Sequence, residues 1–382
     1  MNNIDLSTAA SSSPPTATSE VLKQFSPQRV LLPALLGLGF VFFTLYHELT
    51  KNGQTLGDLF ARMEWTLDTV LWLMLGGLMM ALREFGYIWQ LRILTDDKVS
   101  WWASFEIIML WNFFAAVSPS MVGGAAVAVF MLSKEGVNLG RSTAIVFIVL
   151  FFDQVFYIGI PLLVNMIIPQ QVIFAPLDAI PSAILGTSVY SAFWTAWCGI
   201  AAYVAFLVAA LFVAPSWINW WLCKLLMLTL LHRWRASGLH MANELMIASR
   251  DLRDRSTLWW LKAWLATSVA WIGRYFVLNC VLAAFSDQPM GWYAHTLAAG
   301  RQAVLWIIMT LSPTPGSAGI AEIGFSWLFK DLIPTGLALS LAIIWRMLSY
   351  YPYLILGIPI MTHWIKRVYG SDVREKNAPI KK

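Results

Sequence analysis

Two stretches interrupt otherwise apolar sequence and decide the fold. They are Ser118-Pro119-Ser120-Met121-Val122-Gly123-Gly124 and Ser312-Pro313-Thr314-Pro315-Gly316-Ser317-Ala318-Gly319. Proline and glycine break a helix, and hydrocarbon cannot hydrogen-bond the backbone groups that the break releases. Such sequence persists at membrane depth only where protein buries it or water reaches it. Two interruptions in similar positions therefore indicate a transporter-like binding site.

The composition around these stretches is that of a membrane protein. The chain has 382 residues, of which 58% are hydrophobic and only 12% are charged. Its apolar runs are long enough to cross a hydrocarbon core of about 30 Å. We therefore predict an all-α polytopic membrane protein with two short half-helices, at 123–133 and 320–329. The predicted spans are 30–46, 66–83, 102–117, 142–168, 192–213, 257–284, 292–311 and 335–363.

The lysine and arginine distribution predicts the orientation, because cytosolic loops carry an excess of these residues. With a cytosolic N-terminus, 20 of the 26 lie in inside segments, Arg83 among them, and only Lys51, Arg62 and Lys330 lie outside. Both termini are therefore expected in the cytosol. On this topology each interruption is the turn of a re-entrant helical hairpin, and the two hairpins enter from opposite faces.

The elements after each hairpin correspond as well. Pro119 lies 34 residues before Asp153, and Pro313 lies 33 residues before Arg346. Each following span then has a proline, Pro161 or Pro352. Inverted repeat units at about 66–168 and 257–363 explain this pattern. The alternative is coincidence together with one ordinary short hairpin of spans.

The remaining segments complete the predicted organisation. Residues 1–28 are expected to form a disordered cytosolic tail, 29–365 the transmembrane domain, and 366–382 a basic cytosolic tail. Within the domain, 214–256 is expected to form an interfacial connector rich in tryptophan and basic residues. Cys198, Cys223 and Cys280 have no metal-ligand spacing, so we expect them to be packing residues.

Several charged residues fall deep within predicted spans. A charge at the bilayer centre costs about 2.5–3.5 kcal/mol on insertion scales, so each needs a partner or an aqueous cavity. The two half-helix N-termini point free amides inward, and such ends bind phosphate or carboxylate. The predicted substrate-binding residues are Pro119, Gly123, Gly124, Asp153, Arg274, Arg301, Pro313, Pro315, Gly316, Gly319, Glu322 and Arg346. Alternatively, the charges are structural ion pairs, Glu322 caps its own helix, and the glycines serve packing.

No catalytic constellation is found in the sequence. It has no nucleotide-binding loop, no cysteine or histidine metal cluster and no nucleophile elbow. We therefore expect no cofactor, no metal and no enzymatic activity. Any transport is expected to be passive or driven by an ion gradient or the membrane potential.

At these motifs the chain resembles the transmembrane flippase-like region of the lysylphosphatidylglycerol synthetase family over about 30–365. The segment 313–322 is similar to the family's Pro-x-Pro-Gly-Gly-x-Gly-x-x-Glu pattern, with Ser317 replacing the second glycine. The segment from Pro119 to Gly124 resembles the family's Pro-x-x-x-Gly-Gly turn. The family's acidic residue and arginine after this turn are replaced by alanine and valine at 125–128, and the soluble synthetase domain is not matched.

The resemblance implies a lipid flippase in the inner or cytoplasmic membrane that moves an anionic lipid or a lipid-linked precursor between leaflets. Membrane lipids with an anionic headgroup are the expected partners, and nucleic acid is not expected to bind. Both a monomer and a homo-oligomer are compatible with the sequence. Two alternatives remain at this point. One is a membrane-embedded enzyme or accessory subunit acting on a lipid-phosphate carrier, and the other is a channel or solute transporter.

Overall fold

The protein is described by a computed structural model that covers residues 63–118, 122–177, 189–209, 255–310, 312 and 314–376, with a few isolated positions elsewhere. Within these ranges the chain is helical and has no strand. The helices are α1 Leu67–Leu94, α2 Trp101–Val117, α3 Val122–Lys134, α4 Leu139–Ile167, α5 Gln170–Phe174, α6 Val189–Val208, α7 Thr257–Ala284, α8 Trp292–Thr310, α9 Ile320–Phe329, α10 Ala338–Ser349 and α11 Tyr351–Lys376.

Several predictions fall on residues outside these ranges. They are the tail at 1–28, the first span at 30–46 and almost all of the connector at 214–256. The two prolines that open the interruptions, Pro119 and Pro313, also lie outside the described residues. The basic segment predicted as a tail from 366 begins within α11, which continues to Lys376.

Side-chain caps fix where four of the long helices begin. Thr66, Ser100, Asn138 and Ser256 each precede a helix and accept a hydrogen bond from the backbone amide three residues on. The first amides of a helix have no partner within the helix, so a polar residue at this position stabilises the start. These caps explain why the four helices begin at defined residues.

Within the part of the chain that the structure describes, four helical segments are long and apolar enough to cross a membrane: Leu67–Leu94, Leu139–Ile167, Thr257–Ala284 and Ala338–Val368. Shorter apolar helices, including Trp101–Val117 and Ile320–Phe329, pack among them. The second predicted span, 66–83, is too short by 11 residues, because α1 continues to Leu94. Arg83 is therefore a buried residue within α1 and does not belong to a loop.

Helices α1 and α7 form the most extensive helix pair. A Cβ atom at Gly86 would lie 2.6 Å from the Ala270 amide nitrogen, and one at Gly273 would lie 2.5 Å from the Met79 carbonyl oxygen. The two backbones therefore touch at both places, which only glycine permits. Because the higher-numbered residue of α1 meets the lower-numbered residue of α7, the pair is antiparallel.

Two helix pairs, α2 with α3 and α8 with α9, carry the interruptions at their turns. In the first pair, a Cβ atom at Gly124 would lie 2.6 Å from the Trp111 carbonyl oxygen, so α3 packs directly against the α2 backbone. The two turns are joined through Tyr350, whose hydroxyl donates to the Ala116 carbonyl of α2 (3.1 Å) and whose ring covers Gly316.

The predicted span 335–363 is divided in the structure. Tyr350 has φ −131° and ψ −52°, which ends α10, and α11 begins at the next residue. Pro352 lies in the first turn of α11, where its missing amide hydrogen is tolerated. The break places Tyr350 at the inner wall formed by the two turns.

Candidate substrate cavity

A cavity of about 260 Å³ lies where the two interruptions meet. Ser118 from the first and Ser312, Thr314, Gly316 and Ser317 from the second contribute to its wall. Helices α1, α2, α4, α7, α8, α10 and α11 supply the rest. Its charged, amide and aromatic lining residues are Arg83, Tyr87, Trp111, Asn112, Asp153, Gln154, Tyr157, Arg274, Trp306, Trp345, Arg346, Tyr350 and Tyr353.

The backbone of the second interruption is held by its own hydroxyl groups. Thr314 Oγ1 donates to the Ala318 carbonyl (3.0 Å), and Ser317 Oγ donates to the Met309 carbonyl (2.7 Å). Ser312 Oγ accepts from the Thr314 amide (3.2 Å). These hydrogen bonds satisfy backbone groups of the turn that form no helical hydrogen bonds, as the burial of polar backbone requires.

A buried ion pair anchors the same turn to α10. Arg346 Nε donates to Glu322 Oε1 (3.1 Å), and Arg346 Nη2 donates to the Gly316 carbonyl (2.8 Å). Glu322 Oε2 in turn accepts from the Gly319 amide (2.6 Å), so the carboxylate caps α9 from its third residue. The two charged side chains are 3% and 5% exposed. Glu322 therefore caps its own helix, as the alternative interpretation predicts, and it also forms a buried ion pair with Arg346.

A second charged group, on the α1, α4 and α7 walls, is arranged differently. Arg274 Nη2 donates to the Tyr87 hydroxyl (2.9 Å), and that hydroxyl donates to Asp153 Oδ1 (2.9 Å). Trp271 Nε1 donates to the same oxygen (2.7 Å). Among the described residues, no carboxylate lies within ion-pair distance of Arg274, and its buried Nε has no hydrogen-bond partner. Arg274 is instead surrounded by aromatic rings, those of Trp271 (4.9 Å), Trp306 (5.1 Å) and Tyr87.

Arg83 is a cavity residue that sequence reasoning missed. Arg83 Nη1 forms an ion pair with Glu84 (2.6 Å), and Nη2 donates to Asn112 Oδ1 (3.1 Å). Its guanidinium lies over the rings of Tyr87 and Tyr353, each at 5.4 Å. The signal that could have identified it is its position, since Arg83 and Arg274 occupy positions 17 and 18 of two helices that are each 28 residues long.

The structure gathers some of the predicted site residues and separates others. Asp153 and Arg346 line the same cavity, as does Arg274. Asp153 and Arg346 do not pair with each other, because Arg346 binds Glu322 and Asp153 accepts from Tyr87 and Trp271.

Arg301 is not among the cavity-lining residues. It forms an ion pair with Asp331, and its Nη2 also donates to the Val172 carbonyl (3.1 Å). Arg301 was predicted as a site residue, but it lies outside this cavity. Its contacts join α8 to α5 and to the segment that follows α9.

The predicted glycines have distinct positions. Gly316 and Gly319 have φ of +56° and +83°, the left-handed region that glycine adopts without strain. Pro315 and Gly316 belong to a short 3₁₀ turn, and Gly319 precedes α9. Gly123 and Gly124 are the second and third residues of α3.

Residues 30–357 match the family described as the lysylphosphatidylglycerol synthase TM region. The chain belongs to this family. It is also 26% identical over 317 residues to a UPF0104 membrane protein of Archaeoglobus fulgidus, a match that covers 75% of this chain and 85% of the relative. No solved structure matches the chain.

One conformational detail of the second interruption fits the resemblance of this segment. Ser317 occupies the place of the second glycine in the resembling segment, and its φ is +56°. A non-glycine residue is strained in this region. The hydrogen bond from Ser317 Oγ to the Met309 carbonyl partly offsets that strain in this chain.

Proposed function

We propose that this protein moves an anionic lipid, or a lipid-linked precursor, between the leaflets of a membrane. The observation that carries the proposal is the cavity itself, where both interruptions meet three arginine side chains, Arg83, Arg274 and Arg346. Guanidinium groups match the geometry of phosphate oxygens, and aromatic walls support such binding. The family's membrane character supports a lipid-related role.

The size of the cavity fits a headgroup and excludes a whole lipid. A cavity of about 150 Å³ holds a benzene ring, and drug-sized ligands occupy about 300–1,000 Å³. At about 260 Å³ the cavity takes a phosphate with a small substituent. The acyl chains then remain in the bilayer while the headgroup passes through the protein.

Equivalent positions support an inverted repeat. Arg83 and Arg274 are 191 residues apart, and Asp153 and Arg346 are 193 apart, as are Tyr157 and Tyr350. All six residues line the cavity. Two repeat units with opposite orientation and a shared site between them are the architecture that many transporters use for alternating access. The helix pairs α2/α3 and α8/α9 are then re-entrant hairpins that enter from opposite faces.

The proposed setting is the cytoplasmic membrane with both termini in the cytosol. Removing Arg83 from the inside segments leaves 19 basic residues there against 3 outside. This asymmetry still strongly favours the same orientation. Membrane lipids with an anionic headgroup are the proposed partners.

Reconstitution into vesicles tests the proposal. Purified protein should accelerate the loss of a fluorescent anionic lipid from the quencher-accessible leaflet, relative to protein-free vesicles. Arg274→Gln should abolish this movement, because it removes the cavity cation that has no carboxylate contact. The control is Arg301→Gln, which removes a buried arginine outside the cavity and should leave transport per folded molecule intact.

Three results would count against the proposal. Movement of water-soluble anions without dependence on lipid would indicate a solute transporter. A chemically altered lipid product would indicate an enzyme. Equal loss of lipid movement in Arg274→Gln and Arg301→Gln would remove the cavity from the transport path.

A further inference from the structure

We propose that Asp153 takes up a proton when an anionic headgroup binds, so that lipid and proton move together across the membrane. This inference rests on the proposed function and adds its energy source. It is carried by the charge balance of the cavity and by the one pair of opposite charges there that do not touch.

The charges of the cavity and of the residues that contact it cancel in the empty state. Arg346 is neutralised by Glu322 at 3.1 Å, and Arg83 is neutralised by Glu84 at 2.6 Å. The remaining charges within the described residues are Arg274 and Asp153. Three positive and three negative groups therefore leave no net charge to compensate a ligand.

A lipid phosphate diester adds one negative charge to this balanced site. Uncompensated charge in a low-dielectric interior is strongly unfavourable, and proteins commonly relieve it by changing the protonation of a nearby group. A proton bound together with the headgroup restores neutrality. The cavity thus favours loading by an anion and a proton together over loading by the anion alone.

Asp153 is the carboxylate suited to take this proton. Glu84 and Glu322 each already form an ion pair with a guanidinium. Asp153 instead receives neutral donors, from Tyr87 and Trp271, both on its Oδ1. No hydrogen bond reaches its Oδ2 from the described residues, so this oxygen is free to bind a proton.

The bridge between Arg274 and Asp153 explains how the two events are coupled. Arg274 reaches Asp153 only through the Tyr87 hydroxyl. A phosphate that binds the unpartnered Nε of Arg274 removes part of the positive field that favours ionised Asp153. The charged and titratable groups that face Asp153 are Arg83 and Tyr87 from α1, Arg274 from α7 and Tyr157 from α4 itself. Of the two cations, Arg83 is already engaged by Glu84.

Vesicles with imposed gradients test the coupling. Co-movement with a proton makes transport of a singly charged lipid electroneutral. The wild type should therefore enrich a fluorescent phosphatidylglycerol in the leaflet that faces the alkaline solution, up to tenfold per pH unit, and should not respond to a potassium–valinomycin potential.

Asp153→Asn should respond to the potential and not to the pH gradient, because the asparagine side chain is permanently neutral. Each transported lipid then carries one net charge, so a potential of 100 mV should shift the leaflet distribution by up to about fifty-fold, and a pH gradient should have no effect. Asp153→Glu, which restores an ionisable carboxyl, should restore the response to pH. A wild type that moves lipid but follows the potential overturns proton coupling and leaves the proposed function standing. A wild type that moves no anionic lipid overturns both.

A binding measurement keeps the inference testable if Asp153→Asn fails to fold. Short-chain phosphatidylglycerol should be added to wild-type protein in weakly buffered micelles. The protein should then take up close to one proton per bound lipid, which is measured as a rise in the pH of the solution. Binding without proton uptake would overturn the inference directly. Replacing the ligand with a zwitterionic phosphatidylcholine separates the charge requirement from general lipid association, since that headgroup needs no added proton and should cause no uptake.

Discussion

At the scale of single residues, the turn between α8 and α9 shows how side-chain and backbone demands coincide. Gly316 combines a left-handed conformation with direct cover by the Tyr350 ring. Either demand alone favours glycine, and together they leave no room for any other residue. The Gly316 carbonyl of the same turn accepts a hydrogen bond from Arg346, so one set of contacts fixes both the shape of the turn and the position of this cavity charge.

Gly316→Ala should therefore destabilise the protein by about 2–5 kcal/mol, since backbone strain of about 1–2 kcal/mol adds to overpacking of about 1–3 kcal/mol. The added Cβ would lie 2.3 Å from Tyr350 Cε2. Gly136→Ala is the matched control, because Gly136 also has positive φ (+86°) but open space around it. It should cost only the strain. Thermal denaturation in detergent measures both, and equal shifts would show that the Tyr350 contact is unimportant.

The ion pair between Arg346 and Glu322 gives a second residue-scale prediction. Glu322→Gln should lower the free energy of unfolding by about 3–5 kcal/mol, because it leaves a buried guanidinium without its carboxylate. The double variant with Arg346→Gln should cost less than the sum of the single variants. A double-mutant cycle on denaturation midpoints measures the coupling. Additive losses would mean that the two charges contribute independently.

At the scale of helices, much of the fold could be predicted from sequence. The predicted segments 102–117, 257–284, 292–311 and 320–329 agree with observed helices to within a residue or two, because capping residues, proline and glycine mark their ends. Arg83 was missed because a hydropathy window ends at a charge, whereas the helix continues past it. The tyrosines that line the cavity were missed because sequence reasoning searched the spans for charged residues. The partner of Arg346 depends on how helices are rotated about their axes, which spacing along the chain does not specify.

The α1–α7 contact yields a prediction at the same scale. Gly86→Ala should separate the two helices, because the nearest atoms at 2.6–2.9 Å belong to the α7 backbone, which cannot move aside as a side chain can. Gly77→Ala, on the same helix with no atom within 4 Å, should be neutral or stabilise by up to about 1 kcal/mol through helix propensity. Thermal stability of the purified variants distinguishes them. A harmless Gly86→Ala would mean that the helices are not in backbone contact.

At the scale of the whole molecule, the proposed inverted repeat relates the topology to the site. If the two units are related by inversion, the ends of the α2/α3 and α8/α9 hairpins lie on opposite faces of the membrane while their turns meet at the cavity. Lys134 ends α3 and Lys330 follows α9, and both side chains are exposed. Single cysteines at these positions, in a background without Cys198, Cys223 and Cys280, should react with an impermeant maleimide from the cytosol and from the exterior, respectively. Labelling after permeabilisation is the control for reactivity. Labelling of both from one side would make one hairpin an ordinary pair of spans, and the shared cavity would then need an explanation other than two inverted units.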